Sequence, residues 1–302
     1  MNALTILKNL RTLRGFNVDT YIKEKTTIIN DFFRKNKLDS AVVGVSGGID
    51  SALVIALLYN ASIQPDSPIK KILGLIMPIY GDGTSDQEKA TDRAYKFMQT
   101  FDTKKVQCKI MDLSKAYTEI INSEVSNSES TVQTNAWTNG QMASVLRTPV
   151  LYYQAAALQQ QGYSSIVVGT TNRDEGSYIG FFGKASDGMN DLQPIADIHK
   201  SEVYQVAKKL NVIDEILNAR PQGDVYDNRG DEEMIGAPYW FLEFYLLMKC
   251  NTDIEYLYKF EQERTWRDNI EALHEKNKHK YQVGMPSHFI DIMPRVVPGG
   301  WK

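Results

Sequence analysis

Cysteine is scarce, with only Cys108 and Cys250 among 302 residues. Two are too few for a disulfide framework or a structural zinc site, and a reducing cytoplasm is the expected compartment. Long apolar runs are also missing: the longest, such as Ala52 to Leu58, fall far short of the roughly 18 residues of a membrane span. The N-terminal stretch MNALTILKNLRTLRG lacks the apolar segment and small-residue cleavage site of a signal peptide, so none is expected. No excess of positive charge is present. Lys+Arg 34 against Asp+Glu 37 leaves a net charge of -3, which excludes a global field that recruits nucleic acid. Internal repeats, low-complexity tracts and Pro-rich linkers are absent too, so 1–302 is expected to form a single domain. What remains is an ordinary globular composition, 42% hydrophobic and 24% charged, with ample material for a core.

Runs rich in β-branched residues at Ala41 to Val45, Ile72 to Met77, Val106 to Met111 and Ile166 to Gly169 read as buried strands. Helical periodicity separates them. Ala90, Ala94, Phe97 and Phe101 follow a capping-box pattern of Ser85 and Glu88, and Asp19 to Phe33 places Ile22, Ile29 and Phe33 on one face. The alternation predicts an α/β fold, a doubly wound, mostly parallel sheet flanked by helices, with ligands at the carboxyl ends of the strands. Ser123 to Gln141 and Ala219 to Gly236 read as loops suited to act as lids. From about Ala237 the chain reads as aromatic helices, then an irregular tail with Pro286, Pro294 and Pro298. In that helical part Tyr239, Trp240, Phe241, Phe244 and Tyr245 are expected to form a core or a dimer face.

The segment Gly44-Val45-Ser46-Gly47-Gly48-Ile49-Asp50-Ser51 follows the first strand and opens a helix. Gly47 and Gly48 admit an anion close to the backbone, Ser46 and Ser51 donate hydroxyls, and the helix N-terminus adds its dipole. This composition makes a phosphate cradle. It has neither the GKS or GKT ending of a Walker A loop nor the GxGxxG of a dinucleotide fingerprint. An aspartate inside such a loop needs a divalent cation between itself and a phosphate, which makes Asp50 a candidate Mg2+ ligand. A second small-residue turn, Gly169-Thr-Thr-Asn-Arg-Asp-Glu175, follows another strand and offers Glu175 as a partner ligand and Thr170 as a nucleotide contact.

SGGIDS resembles the pyrophosphate loop of the N-type ATP pyrophosphatases, and Gly180-Phe-Phe-Gly-Lys184 through Asp191-Leu-Gln-Pro to Lys200 resembles the pattern of the NAD synthetase family within them. Gly230-Asp-Glu-Glu-Met-Ile-Gly236 and His279-Lys280 are similar to two further segments of that family. The resemblance implies an adenine nucleotide alpha hydrolase-like fold and ATP cleavage between the α and β phosphates with Mg2+. It further implies amidation of deamido-NAD by free ammonia through an acyl-adenylate, in a homodimer without a glutaminase domain. By the same resemblance Gly44 to Ser51, Thr170, Lys200 and Gln222 bind ATP, with Ser46, Asp50 and Lys200 catalytic. Arg147, Lys184, Asp191, His279 and Lys280 meet the acceptor.

Three positions depart from the family. Gln222 stands where a hydroxyl residue follows a proline, Tyr281 replaces an arginine, and Asn139 to Arg147 keeps a single arginine of its motif. They surround the acceptor, so amidation of nicotinate mononucleotide or another small carboxylic acid is the alternative reading. An inactive nucleotide-binding protein is a more distant one, and a tRNA-modifying enzyme lacks its catalytic cysteine pair. Cys108, Cys250 and His199 are expected to be structural, His199 otherwise exposed, and Asp231 to Glu233 taken alone read as a solvated helix cap.

Overall fold

The computed structural model describes residues 2–80, 85–126, 135–222, 229–251, 261–281 and 288–289. Two helices, α1 (Ala3–Arg14) and α2 (Val18–Lys35), precede the sheet. Each is entered through an asparagine whose side chain accepts the N–H three residues on, Asn2 from Thr5 and Asn17 from Thr20. The chain then alternates through β1 (Ser40–Gly44), α3 (Ile49–Ser62), β2 (Lys71–Ile76), α4 (Ser85–Met98), β3 (Val106–Ile110), α5 (Ser114–Ser126), α6 (Ala136–Gln160) and β4 (Ser165–Val168). After β4 come α7 (Arg173–Gly176), β5 (Leu192–Gln193), α8 (Lys200–Lys209), α9 (Asp214–Leu217), α10 (Asp231–Ile235), α11 (Tyr239–Asn251), α12 (Glu261–Asn277) and β6 (His288–Phe289).

The described strands form one sheet in the order β3-β2-β1-β4-β5-β6, every pair parallel. Alternation along each strand assigns its faces. Ala41, Val43, Ile72, Ile76, Ile166 and Val168 join the core shared with α2, α3, α4 and α8, while Val42, Leu73, Leu75 and Val167 join the one shared with α6. Helix α3 is apolar all round because it lies between the sheet and α2, where Ile29 and Phe33 are fully buried. A third cluster packs α1 against α11 and α12, and it takes in Phe241, Phe244 and Tyr245. The aromatic run therefore forms core.

The four strands expected from β-branched runs are present. The last two have two residues each, too short to show periodicity. Within the expected loops, 123–126 ends α5, 136–141 begins α6 and 231–235 forms α10, while 127–134 and 223–228 lie outside the described residues. Of the three tail prolines all lie outside them, and the tail contributes β6. No described helix is long and apolar enough to cross a membrane.

Beneath the sheet's carboxyl edge, Lys25 pairs with Asp197 at 2.9 Å with both side chains fully buried, and the Tyr21 hydroxyl donates to the same carboxylate. Removing one member of a buried pair strands the other charge. Lys25→Met is expected to cost about 3–5 kcal/mol of folding stability, read as a lowered midpoint in urea. A change below about 1 kcal/mol would contradict the pairing.

Candidate active site

In an open parallel sheet with this strand order, the loops leaving β1 and β4 diverge to opposite sides and leave a crevice at their carboxyl ends. The phosphate loop leaves β1 and opens α3. Gly47 sits at φ +81°, and a Cβ there would stand 2.2 Å from the Ala90 carbonyl oxygen of α4. Only glycine satisfies both conditions. The loop braces itself: Ser51 Oγ donates to the Gly48 carbonyl at 3.1 Å, and the Gly48 N–H donates to Ser46 Oγ at 3.2 Å. Gly48 caps α3 without a side chain of its own, so first-turn N–H groups are left for an anion.

Asp50, in the first turn of α3, accepts from Asn172 Nδ2 at 2.9 Å and from Lys200 Nζ at 2.5 Å. The same ammonium reaches Glu175 Oε1 at 3.0 Å. Tyr239 donates its hydroxyl to Glu175 at 2.8 Å and lies 3.2 Å from Asp231. The three candidates Asp50, Glu175 and Lys200 thus converge from the ends of β1 and β4 and the start of α8. Asp231 and Tyr239 join them: Asp231 is buried rather than a solvated cap, and Tyr239 packs in the C-terminal core with its hydroxyl turned to the site. Neither carries a motif signal apart from the DE-x-x-x-G resemblance, and Asn172 carries none.

With its carboxylates ionised, the cluster of Asp50, Glu175, Asp231 and Lys200 has a formal charge of -2. Burial pushes the Glu175 carboxyl up to about 7, opposed by Lys200 and reinforced by Asp50 and Asp231. Burial alone would lower the Lys200 ammonium, but Asp50 and Glu175 hold it above its ordinary range. Excess negative charge on hard oxygen donors suits a divalent cation. Mg2+ uses one or two carboxylates and takes its other ligands from phosphate and water, and Asp50 and Glu175 are the two that would hold it.

Behind Lys200, His199 is fully buried and structural. Its Nδ1 lies 2.6 Å from Asp174, whose second oxygen accepts the Lys200 N–H at 2.7 Å. Burial moves Asp174 up to about 7 and His199 down to about 3. The two shifts run in opposite senses, the carboxyl toward its protonated form and the imidazole toward its neutral one. Glu175 carries a pH dependence of its own. Its folded value lies above the unfolded one, so its contribution is complete below about pH 4.5 and lost as pH rises through about 7. Glu175→Gln is expected to gain about 2 kcal/mol over wild type between pH 5 and pH 8 in chelator. Melting curves at the two pH values check this, and a constant difference would contradict it.

Arg147 donates from α6 to the Met77 carbonyl beyond β2 at 3.0 Å. Asp191 accepts from the Val167 N–H of β4 at 2.8 Å. Lys184, Gln222 and His279 are exposed, and Thr170 is half-buried beyond β4. Lys280 donates to the carbonyls of Gly180 and Phe182, and Tyr281 to that of Gly176, so both hold the 176–182 loop. Arg93 of α4 points its Nε to the Gly47 carbonyl at 3.4 Å, a contact without a sequence signal. Cys108 lies in β3 and Cys250 donates to Leu246 within α11, both as packing residues.

Residues 21–284 match the NAD synthase family. The chain belongs to this family. An NH(3)-dependent NAD(+) synthetase of Finegoldia magna is 33% identical over 76% of this chain and 85% of its own, and one of Pyrococcus horikoshii is 29% identical over 88% and 94%. Among solved structures, an NMN synthetase of Francisella tularensis has a TM-score of 0.70 at 23% identity, covering 89% of this chain and 98% of that one. An NH3-dependent NAD synthetase of Campylobacter jejuni has a TM-score of 0.63 at 21% identity, covering 94% and 100%. The last two show the NAD synthetase fold.

Proposed function

We propose that this chain is an ammonia-dependent NAD synthetase, a ligase that converts deamido-NAD, ATP and ammonia to NAD, AMP and pyrophosphate. The observation that carries the reading is the Lys200 ammonium, set between Asp50 of the phosphate loop and Glu175 beyond β4. It spans the switch point where ATP must lie. Gly44 to Ser51 cradle the phosphates, with Thr170 and Gln222 toward the nucleotide. Asp50 and Glu175 would hold Mg2+, which when bound neutralises phosphate charge.

Lys200 stabilises charge that develops on the departing pyrophosphate as the acceptor carboxylate attacks the α phosphorus. Ser46 donates from the loop, and no protein nucleophile is required. Ammonia then attacks the activated carbonyl and AMP leaves. Arg147, Lys184, Asp191, His279 and Lys280 line the acceptor side, with Lys280 acting through the loop it holds. We take 1–302 as one catalytic domain and the assembly as a homodimer.

Tyr281 favours a second reading. Where the family is expected to place a cation, this chain has a half-buried tyrosine bonded to Gly176, which removes a charge that a second phosphate group would meet. Nicotinate mononucleotide is therefore the competing acceptor. Incubation with ATP, Mg2+, ammonium and either acceptor, read by mass spectrometry, separates the two. NAD formed only from deamido-NAD supports the proposal, amidation of the mononucleotide supports the second reading, and AMP from neither contradicts both.

A further inference from the structure

We infer that Arg14 is a positioning residue for the Lys200 ammonium, although it stands on α1, before the family match begins at residue 21. The inference rests on the ATP pyrophosphatase reading of the site and names a determinant of that site's geometry outside the motifs.

Arg14 ends α1 with its side chain only 6% exposed. Its guanidinium makes a two-pronged contact with Glu202, Nε to Oε1 at 2.6 Å and NH2 to Oε2 at 3.0 Å. NH2 also donates to the Asp197 carbonyl at 2.8 Å. Glu202 has a second task, because its Oε2 accepts the His199 N–H at 2.8 Å and so caps α8. From His199 the chain of bonds continues to Asp174 and back to the Lys200 N–H. Arg14 therefore fixes both ends of the 197–202 turn from which Lys200 projects. A planar fork suits this role better than an ammonium does, since it satisfies a carboxylate and a carbonyl in one orientation.

Without Arg14 the buried Glu202 carboxylate has lost its counter-charge, and the cap it gives His199 loosens with it. The Lys200 ammonium then has no fixed origin, and a displacement of about 1 Å at such a group costs about 100-fold in rate. Docking of α1 does not rest on Arg14 alone. Ala3, Leu7 and Leu10 bury themselves in the C-terminal cluster, and Arg11 pairs with Glu243 at 2.6 Å. Removal of Arg14 thus tests position separately from attachment of the helix.

The test compares Arg14→Met, Arg14→Lys and Arg11→Met in the full chain. Arg14→Met should lower kcat for AMP formation by about 30-fold, while KM for ATP moves less than about threefold. Amide exchange at Lys200 should quicken by about tenfold. Arg14→Lys should recover part of kcat, and Arg11→Met should leave both readouts near wild type. A folded Arg14→Met with wild-type kcat, or an equal loss in Arg11→Met, overturns the inference.

If Arg14→Met does not fold, Arg14→Met with Glu202→Gln removes the stranded charge but keeps an acceptor for His199, and wild-type kcat in that variant overturns the inference too. If the wild-type chain forms no AMP with any acceptor, the ligase reading fails. Amide exchange then decides the positioning claim alone, faster exchange at Lys200 in Arg14→Met only supporting it and unchanged exchange overturning it.

Discussion

Lys200→Met is expected to lower the rate of AMP formation by about 1,000-fold, the largest effect of any single substitution at the site. The ammonium is the cation through which the phosphate loop and the β4 turn meet, touching Asp50 at 2.5 Å and Glu175 at 3.0 Å. Without it, Asp50 and Glu175 lose the cation they share, and the departing pyrophosphate loses a donor. The loss should fall on kcat more than on KM, because the interaction strengthens as charge moves onto the leaving group. Single-turnover measurement of AMP checks this. Lys200→Arg should recover little, since a guanidinium cannot occupy the compact place of an ammonium between two carboxylates. A loss below about tenfold in Lys200→Met would assign charge stabilisation elsewhere.

Gly47→Ala should weaken ATP binding by at least about 100-fold and cost about 2–4 kcal/mol of folding stability. Two independent conditions act on this position. Its φ of +81° disfavours any L side chain, and the added Cβ would meet the backbone oxygen of Ala90 at 2.2 Å, an atom that cannot rotate away. Relief requires α4 or the loop to move, and the loop is the cradle. Gly48→Ala is the comparison: its Cβ would meet the Ser46 hydroxyl at 3.3 Å rather than a backbone atom, so a smaller loss is expected there. Titration calorimetry with a non-hydrolysable ATP analogue reads both, and equal affinities in the two variants would contradict the account.

Much of this architecture was visible in the chain. Four strands showed because β-branched runs are long enough to display themselves, whereas Leu192–Gln193 and His288–Phe289 exist only through pairing with neighbours. The positions of Asp50 and Glu175 follow from one rule, that turns at the carboxyl ends of parallel strands converge at the switch point, whereas Lys200 was legible only through the family resemblance. Tyr239 did not show itself, because a tyrosine in an aromatic helix reads as core until its hydroxyl is seen to reach Glu175. Asp231 likewise reads as a helix cap until tertiary packing buries it. The Arg14–Glu202 contact spans 188 residues of sequence, a distance over which no local pattern carries information.

The central claim is that an acceptor carboxylate attacks the α phosphorus of ATP in this site. Oxygen-18 tracing tests it most directly. Deamido-NAD labelled in its nicotinate carboxylate is incubated with the protein, ATP, Mg2+ and ammonium, and the products are weighed by mass spectrometry. Attack at the α phosphorus followed by amide formation leaves one labelled oxygen in AMP and none in pyrophosphate. Label in inorganic phosphate together with ADP, or AMP free of label, would contradict the account.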